Sequence, residues 1–200
     1  MSVPAQAELP AWEETLRVTT ADQTHALGAA LGAELQAGDL LVLTGELGAG
    51  KTTFTQGLGE GLGVRAGIIS PTFVLVRIHP NLPDGPRPGG PDLVHVDAYR
   101  LGSASEIDDI DLENTLDSSV TVVEWGRGRV EHLTESRLEV DLHRAIGLDA
   151  LGAAEPLPGH TETLDFDTED LDEPRTIVLR GFGPRWSTRP ALAGAIEGTP

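Results

Sequence analysis

Apolar positions along this chain switch repeatedly between two periods. Glu14-Thr15-Leu16-Arg17-Val18-Thr19 alternates and predicts a short edge strand. Leu27, Ala30, Leu31 and Leu35 recur at helical spacing. They predict a helix from about Gln23 to Leu35, with Thr20 or Asp22 placed to cap it and Gly38 to close it. Leu40-Leu41-Val42-Leu43 is a short apolar run of strand type, and a second helix is expected to stop at Gly61-Leu62-Gly63. Ile68 to Ile78 follows, alternating only in its second half. Asn81 to Pro91 holds four prolines and three glycines and reads as a loop. Asp92 to Asp97 is a further strand, able to pair with the preceding one as a hairpin across that loop.

Ser103 or Ser105 is placed to cap an acidic helix running to about Asn114. Ser119 to Glu124 is an apolar strand of buried type that ends in a carboxylate. Arg137 to Leu142 alternates as a half-exposed strand does. Arg175 to Arg180 reads as a strand, and Trp186 to Ile196 as a last short helix. Strands alternating with helices in this way predict a three-layer α/β/α fold, with a mainly parallel central sheet and an antiparallel hairpin.

Between the strand Leu40–Leu43 and the second helix lies Gly45-Glu46-Leu47-Gly48-Ala49-Gly50-Lys51-Thr52. It matches G-x-x-x-x-G-K-[ST], the phosphate-binding P-loop of nucleotide hydrolases and kinases. Gly45 and Gly50 let the backbone turn so that successive N–H groups point at phosphate oxygens. Lys51 would reach the β- and γ-phosphates, the Thr52 hydroxyl would meet Mg2+, and the helix that follows presents its N-terminus to the phosphates. Lys51 is the only lysine among 14 basic residues, so a composition that otherwise uses arginine keeps a compact ammonium here.

The P-loop requires a carboxylate at the end of a neighbouring strand to hold Mg2+. Two strands end that way, in Asp97 and in Glu124, and either suits the role. His95 is expected to pack within its strand rather than ligate. Arg100 is placed either to neutralise γ-phosphate charge or to form a plain salt bridge. Thr72, in Ser70-Pro71-Thr72-Phe73, is the candidate γ-phosphate sensor. A guanine-reading Asn-Lys-x-Asp segment needs a second lysine, which is absent, so adenine is favoured.

Composition narrows the setting. Two hundred residues suit one domain, with residues 1–10 as a loose tail. Cysteine is absent, which excludes disulfides and cysteine-based zinc sites. No leader-like segment opens the chain and no long apolar run occurs, so a soluble cytoplasmic protein without membrane contact is expected. The net charge of −18 argues against unaided binding to nucleic acid. Ala145 to Glu173 holds nine Asp/Glu and no Lys or Arg, and reads as a partly looped acidic insert.

Four motifs occur in order: GELGAGKTTF from Gly45 to Phe54, SPTF from Ser70 to Phe73, HVDAYRL from His95 to Leu101, and EW at Glu124-Trp125. In this set the chain resembles the bacterial TsaE (YjeE) family over roughly Thr24 to Trp125. The resemblance implies a P-loop NTPase fold and a Mg2+-dependent ATPase. That ATPase serves threonylcarbamoyladenosine formation in tRNA, acting with the TsaD–TsaB pair and meeting tRNA only indirectly. It implies that the loop from Glu46 through Leu47, Gly48, Ala49 and Gly50 binds ATP phosphates together with Lys51, Thr52 and Thr53. It further implies Mg2+ on Thr52, Asp97 and Glu124, with Glu124 also orienting the attacking water. Thr24 would lie near the adenine and Trp125 would flank the site. Glu46 in place of Asp, Gly126 in place of Pro and His79 in place of Tyr depart from the family pattern without removing a phosphate or metal group. A P-loop small-molecule kinase and a nucleotide-gated scaffold are the competing readings.

Overall fold

The computed structural model describes residues 8–71, 73–101, 106–107, 112–144, 173–192 and 194–197. Thr72, the Ser103 and Ser105 caps, residues 1–7 of the tail and nearly all of the acidic insert lie outside them. Seven strands form one sheet: β1 (Trp12–Val18), β2 (Leu40–Gly45), β3 (Val76–His79), β4 (Asp92–Asp97), β5 (Ser119–Glu124), β6 (Arg137–Arg144) and β7 (Arg175–Phe182). Their order is β1-β7-β6-β2-β5-β4-β3. The central strands β6, β2, β5 and β4 run parallel. Antiparallel strands flank them, with β7 and β1 at one edge and the β3–β4 hairpin at the other.

Strand parity assigns the two faces. Leu41, Leu43, Leu93, Val120, Val122, Leu138, Val140 and Leu142 belong to one buried cluster with α1 (Ala21–Glu34) and α2 (Lys51–Leu62). Their neighbours Leu40, Val42, Val94, Val96 and Val123 pack instead against Leu101, Ile107, Leu112, Leu116 and Val130. This second layer includes α3 (Glu113–Leu116). Thr20 caps α1 by accepting from the Gln23 N–H at 3.1 Å, and Gly63 ends α2 in the left-handed conformation at φ 72°. The two helices touch through glycines. A methyl added at Gly57 would lie 2.1 Å from the His25 carbonyl oxygen, and one at Gly28 would lie 2.3 Å from that of Phe54. No helix among the described residues is long and apolar enough to cross a membrane.

Two elements differ from the sequence expectation. β6 is not half-exposed; Arg137 to Leu142 are all buried, because the strand lies between β2 and β7. Its charged side chains are covered by counter-charges: Arg137 pairs with Glu139 and Glu8, and Asp141 with Arg127 and Arg180. The Trp186–Ile196 segment is not one helix. It follows a 3-10 turn at Pro184–Trp186 with residues 187–192 in no helix, and α4 (Gly194–Glu197) lies beyond them. Trp186 anchors it as one of the largest fully buried side chains. In the alternating second half of Ile68 to Ile78, β3 begins at Val76 and pairs with β4 as the expected hairpin.

Candidate phosphate and metal site

The site sits at the C-terminal end of β2. Gly48 and Gly50 adopt φ of 77° and 98°, a region that admits glycine without the strain a Cβ would bring. Gly50 is the N-cap of α2 and no side chain caps that first turn. The amide donors of the helix start are thereby left for an anion. Ala49 is buried as the inner wall of the loop, while Leu47 stands 90% exposed on its lip, beside exposed Glu46. Thr52 and Thr53 follow on the first turn of α2, half-buried.

Lys51 folds back over the loop. Its Nζ donates to the Gly45 and Glu46 carbonyls at 2.8 and 3.0 Å and lies 4.5 Å from the centroid of the Trp125 ring. Burial lowers the Lys51 pKa, and the negative charges of Glu124 and Asp97 oppose that shift. Those two carboxylates are side-by-side partners at the ends of β4 and β5, each 3% exposed. Parity places them with Leu93, Val120 and Val122 on the sheet face that carries α2. One oxygen of each is tied down. Asp97 Oδ1 accepts from the Tyr99 N–H at 2.9 Å, and Glu124 Oε1 is 2.8 Å from His95 Nε2.

Among the described residues, no group of three or more His, Cys, Asp and Glu is arranged to hold a metal by itself. Two adjacent carboxylates, with a hydroxyl from Thr52 on the first turn of α2, suit a hard cation that keeps waters and takes its remaining ligands from phosphate oxygens. The residues present therefore fit Mg2+ bound together with a nucleotide.

Trp125 holds φ 61°, in the left-handed region that a bulky residue adopts at a cost of about 1–3 kcal/mol. The ring stands against Lys51 and meets Tyr99 edge-on with centroids 5.5 Å apart. Thr24 is buried; its hydroxyl donates to the Thr20 carbonyl at 3.2 Å, and its methyl faces Gly50. The Arg100 guanidinium lies 5.4 Å from the Phe73 ring centroid.

Two groups of residues escape sequence reasoning. His95 is indeed packed, with no exposure, but it also holds Glu124. Arg144 and Arg175, facing residues on β6 and β7, approach the loop from its other side. No local signal marks them, since 30 residues with nine Asp/Glu and no Lys or Arg separate the two.

Comparison with known proteins gives one family. The model described as Threonylcarbamoyl adenosine biosynthesis protein TsaE matches residues 18–147. A Streptomyces coelicolor protein called tRNA threonylcarbamoyladenosine biosynthesis protein TsaE is 50% identical over 163 residues, which cover 81% of this chain and 93% of that one. The protein of the same name from Mycobacterium tuberculosis strain H37Rv is 46% identical over 136 residues, covering 65% and 79%. Among solved structures, YdiB of Bacillus subtilis matches with a TM-score of 0.59 at 28% identity, covering 88% of this chain and 89% of that one. With the loop, the paired strand-end acids and these matches together, the chain belongs to the TsaE family of threonylcarbamoyladenosine biosynthesis.

Proposed function

We propose that this protein is a Mg2+-dependent ATPase of the tRNA threonylcarbamoyladenosine machinery, slow alone and coupled to the TsaD–TsaB complex, whose repeated turnover it supports. The observation that carries the ATPase reading is Lys51 lodged over the loop carbonyls with Asp97 and Glu124 side by side beyond it. In this reading the Lys51 ammonium leaves the Gly45 and Glu46 carbonyls for the β- and γ-phosphates. The loop amides from Glu46 to Thr53 take the remaining phosphate oxygens. Thr52, Asp97 and Glu124 hold Mg2+, which offsets charge on the phosphates. Glu124 orients the attacking water, with His95 fixing its other oxygen. Trp125 closes the lysine side, and Thr24 borders the cradle at Gly50. The net charge of −18 supports a role in which a partner, not this chain, holds the tRNA.

ATP turnover of the chain alone and with TsaD and TsaB tests the proposal. Turnover is expected to change on addition of the pair; partners that neither bind nor alter it would refute the coupling. Lys51→Ala is expected to lose ATP binding, and Glu124→Gln to retain ATP bound but uncleaved. Transfer of labelled γ-phosphate to a metabolite rather than to water would replace the ATPase with a kinase.

A further inference from the structure

The two edges of the sheet are finished differently. β3 is four residues long and runs straight into Pro80, so it offers little ladder to another strand. β1 closes the opposite edge. It is seven residues long, holds no proline or glycine, and pairs with β7 without a bulge from Trp12 to Val18. Among the described residues no strand lies beyond it, so the N–H and C=O groups of its outer side are open to a further strand.

Charge is one defence of such an edge. On one face of β1 stand Glu13, Thr15 and Arg17, all exposed, while Trp12, Leu16 and Val18 pack on the core from the other. Edge charges of a single sign would repel a second copy of the chain. Glu13 and Arg17 have opposite signs and stand two residues to either side of Thr15. About a two-fold axis through Thr15, an antiparallel copy sets Glu13 opposite the partner's Arg17, and Arg17 opposite the partner's Glu13. Neighbouring registers lose this match. Centring the pair on Glu14 sets that carboxylate against its own copy, and centring it on Leu16 sets Arg17 against Thr15.

Both side chains have room for the contact. Glu13 accepts from Arg180 of β7 through Oε2, which leaves its other oxygen for a second guanidinium. Arg17 has no side-chain hydrogen bond or ion pair among the described residues. Across the joined strands the polar face then runs Arg180, Glu13, the partner's Arg17, with the sign alternating at each step. We propose that β1 is a self-pairing edge, through which two copies of this chain join antiparallel about Thr15 into one sheet of twice seven strands. β7 and β6 lie between β1 and β2, so neither loop sits at the seam. β1 runs parallel to β2, and the two-fold therefore sets the two loops at opposite ends of the joined sheet.

Two chains of net charge −18 repel at a distance; at about 0.15 M salt that repulsion is screened beyond about 8 Å, which leaves the close pairs. Sedimentation velocity of the full chain at that salt reads the monomer–dimer equilibrium. A single ladder is a small contact, so the dissociation constant is expected between about 1 μM and about 1 mM. Arg17→Glu and Glu13→Arg each set like charges opposite one another, and each is expected to weaken the dimer about tenfold or more. In an equimolar mixture of the two variants every opposed pair again has opposite signs, so a mixed dimer of about the parent's affinity is expected. Urea unfolding checks that each variant is folded. Should Glu13→Arg fail to fold beside Arg180, Arg17→Glu is compared with Arg17→Lys, which keeps the sign and is expected to keep the dimer. A parent that stays monomeric across that range, a dimer indifferent to Arg17→Glu, or a mixture of folded variants that stays monomeric would each overturn the proposal.

Discussion

His95, within β4, and Glu124, at the end of neighbouring β5, stand 2.8 Å apart and are both buried. A carboxylate with one oxygen anchored has less freedom to lose when it positions water or a metal through the other, so the histidine acts through Glu124 rather than on substrate. His95→Ala is therefore expected to lower the ATP turnover number about tenfold, the usual scale for loss of a residue that orients a metal ligand. KM for ATP is expected to stay nearly constant, because no phosphate contact is removed. Steady-state kinetics separates the two, and a rise in KM alone would contradict the assignment. His95→Gln, which restores a donor, is expected to recover part of the rate. The two acids were legible in the sequence because each closes a short apolar strand. Their support was not: His95 finds its target 29 positions away, across a parallel pairing that no local pattern announces. Trp125 was legible only as part of a motif, and its left-handed backbone not at all.

The α1–α2 pair is the element whose packing the site depends on, since α2 begins in the loop and Thr24 of α1 touches Gly50. Gly28 and Gly32 of α1 face Phe54 and Leu58 of α2, while Gly57 and Gly61 of α2 face His25 and Ala29 of α1. Replacing an ordinary mid-helix glycine by alanine stabilises a helix by about 1 kcal/mol. Gly57→Ala is expected to reverse that sign and destabilise by about 2 kcal/mol or more, because the new methyl meets a backbone carbonyl that cannot step aside. Urea unfolding measures it; a stabilised variant would mean that the helices separate at little cost. Glycine in α2 could be counted in the sequence, but its purpose became visible only once α1 lay across it. β6 went astray for a related reason. Alternation of charge with apolar residues marks a solvated face when the charges are alone, whereas here Arg127, Arg137 and Arg180 cover and neutralise the buried Glu139 and Asp141.

At the scale of the whole molecule, the parallel centre and the antiparallel hairpin followed from alternating strand and helix patterns around one loop, whereas the strand order is set by long-range pairings that no local pattern carries. The meeting of Arg144 with Arg175 depended likewise on a β6–β7 pairing closed across a long acidic stretch. Counting basic residues along the chain therefore gave no hint of a second basic group. The same sparse use of cations has a practical result at the loop. Lys51 is the only side-chain amine in 200 residues and lies 7% exposed in the phosphate cradle. Because burial lowers its pKa, more of it is uncharged and nucleophilic in mild base than of a surface lysine. An acylating reagent should add a single lysine-borne group per molecule, and saturating ATP with Mg2+ should suppress that mass shift. Labelling that proceeds equally with and without nucleotide would show that the cradle is not where ATP goes. If protection holds, ordinary mass spectrometry becomes an occupancy meter for this site, with no engineered label and no second lysine to confuse the count.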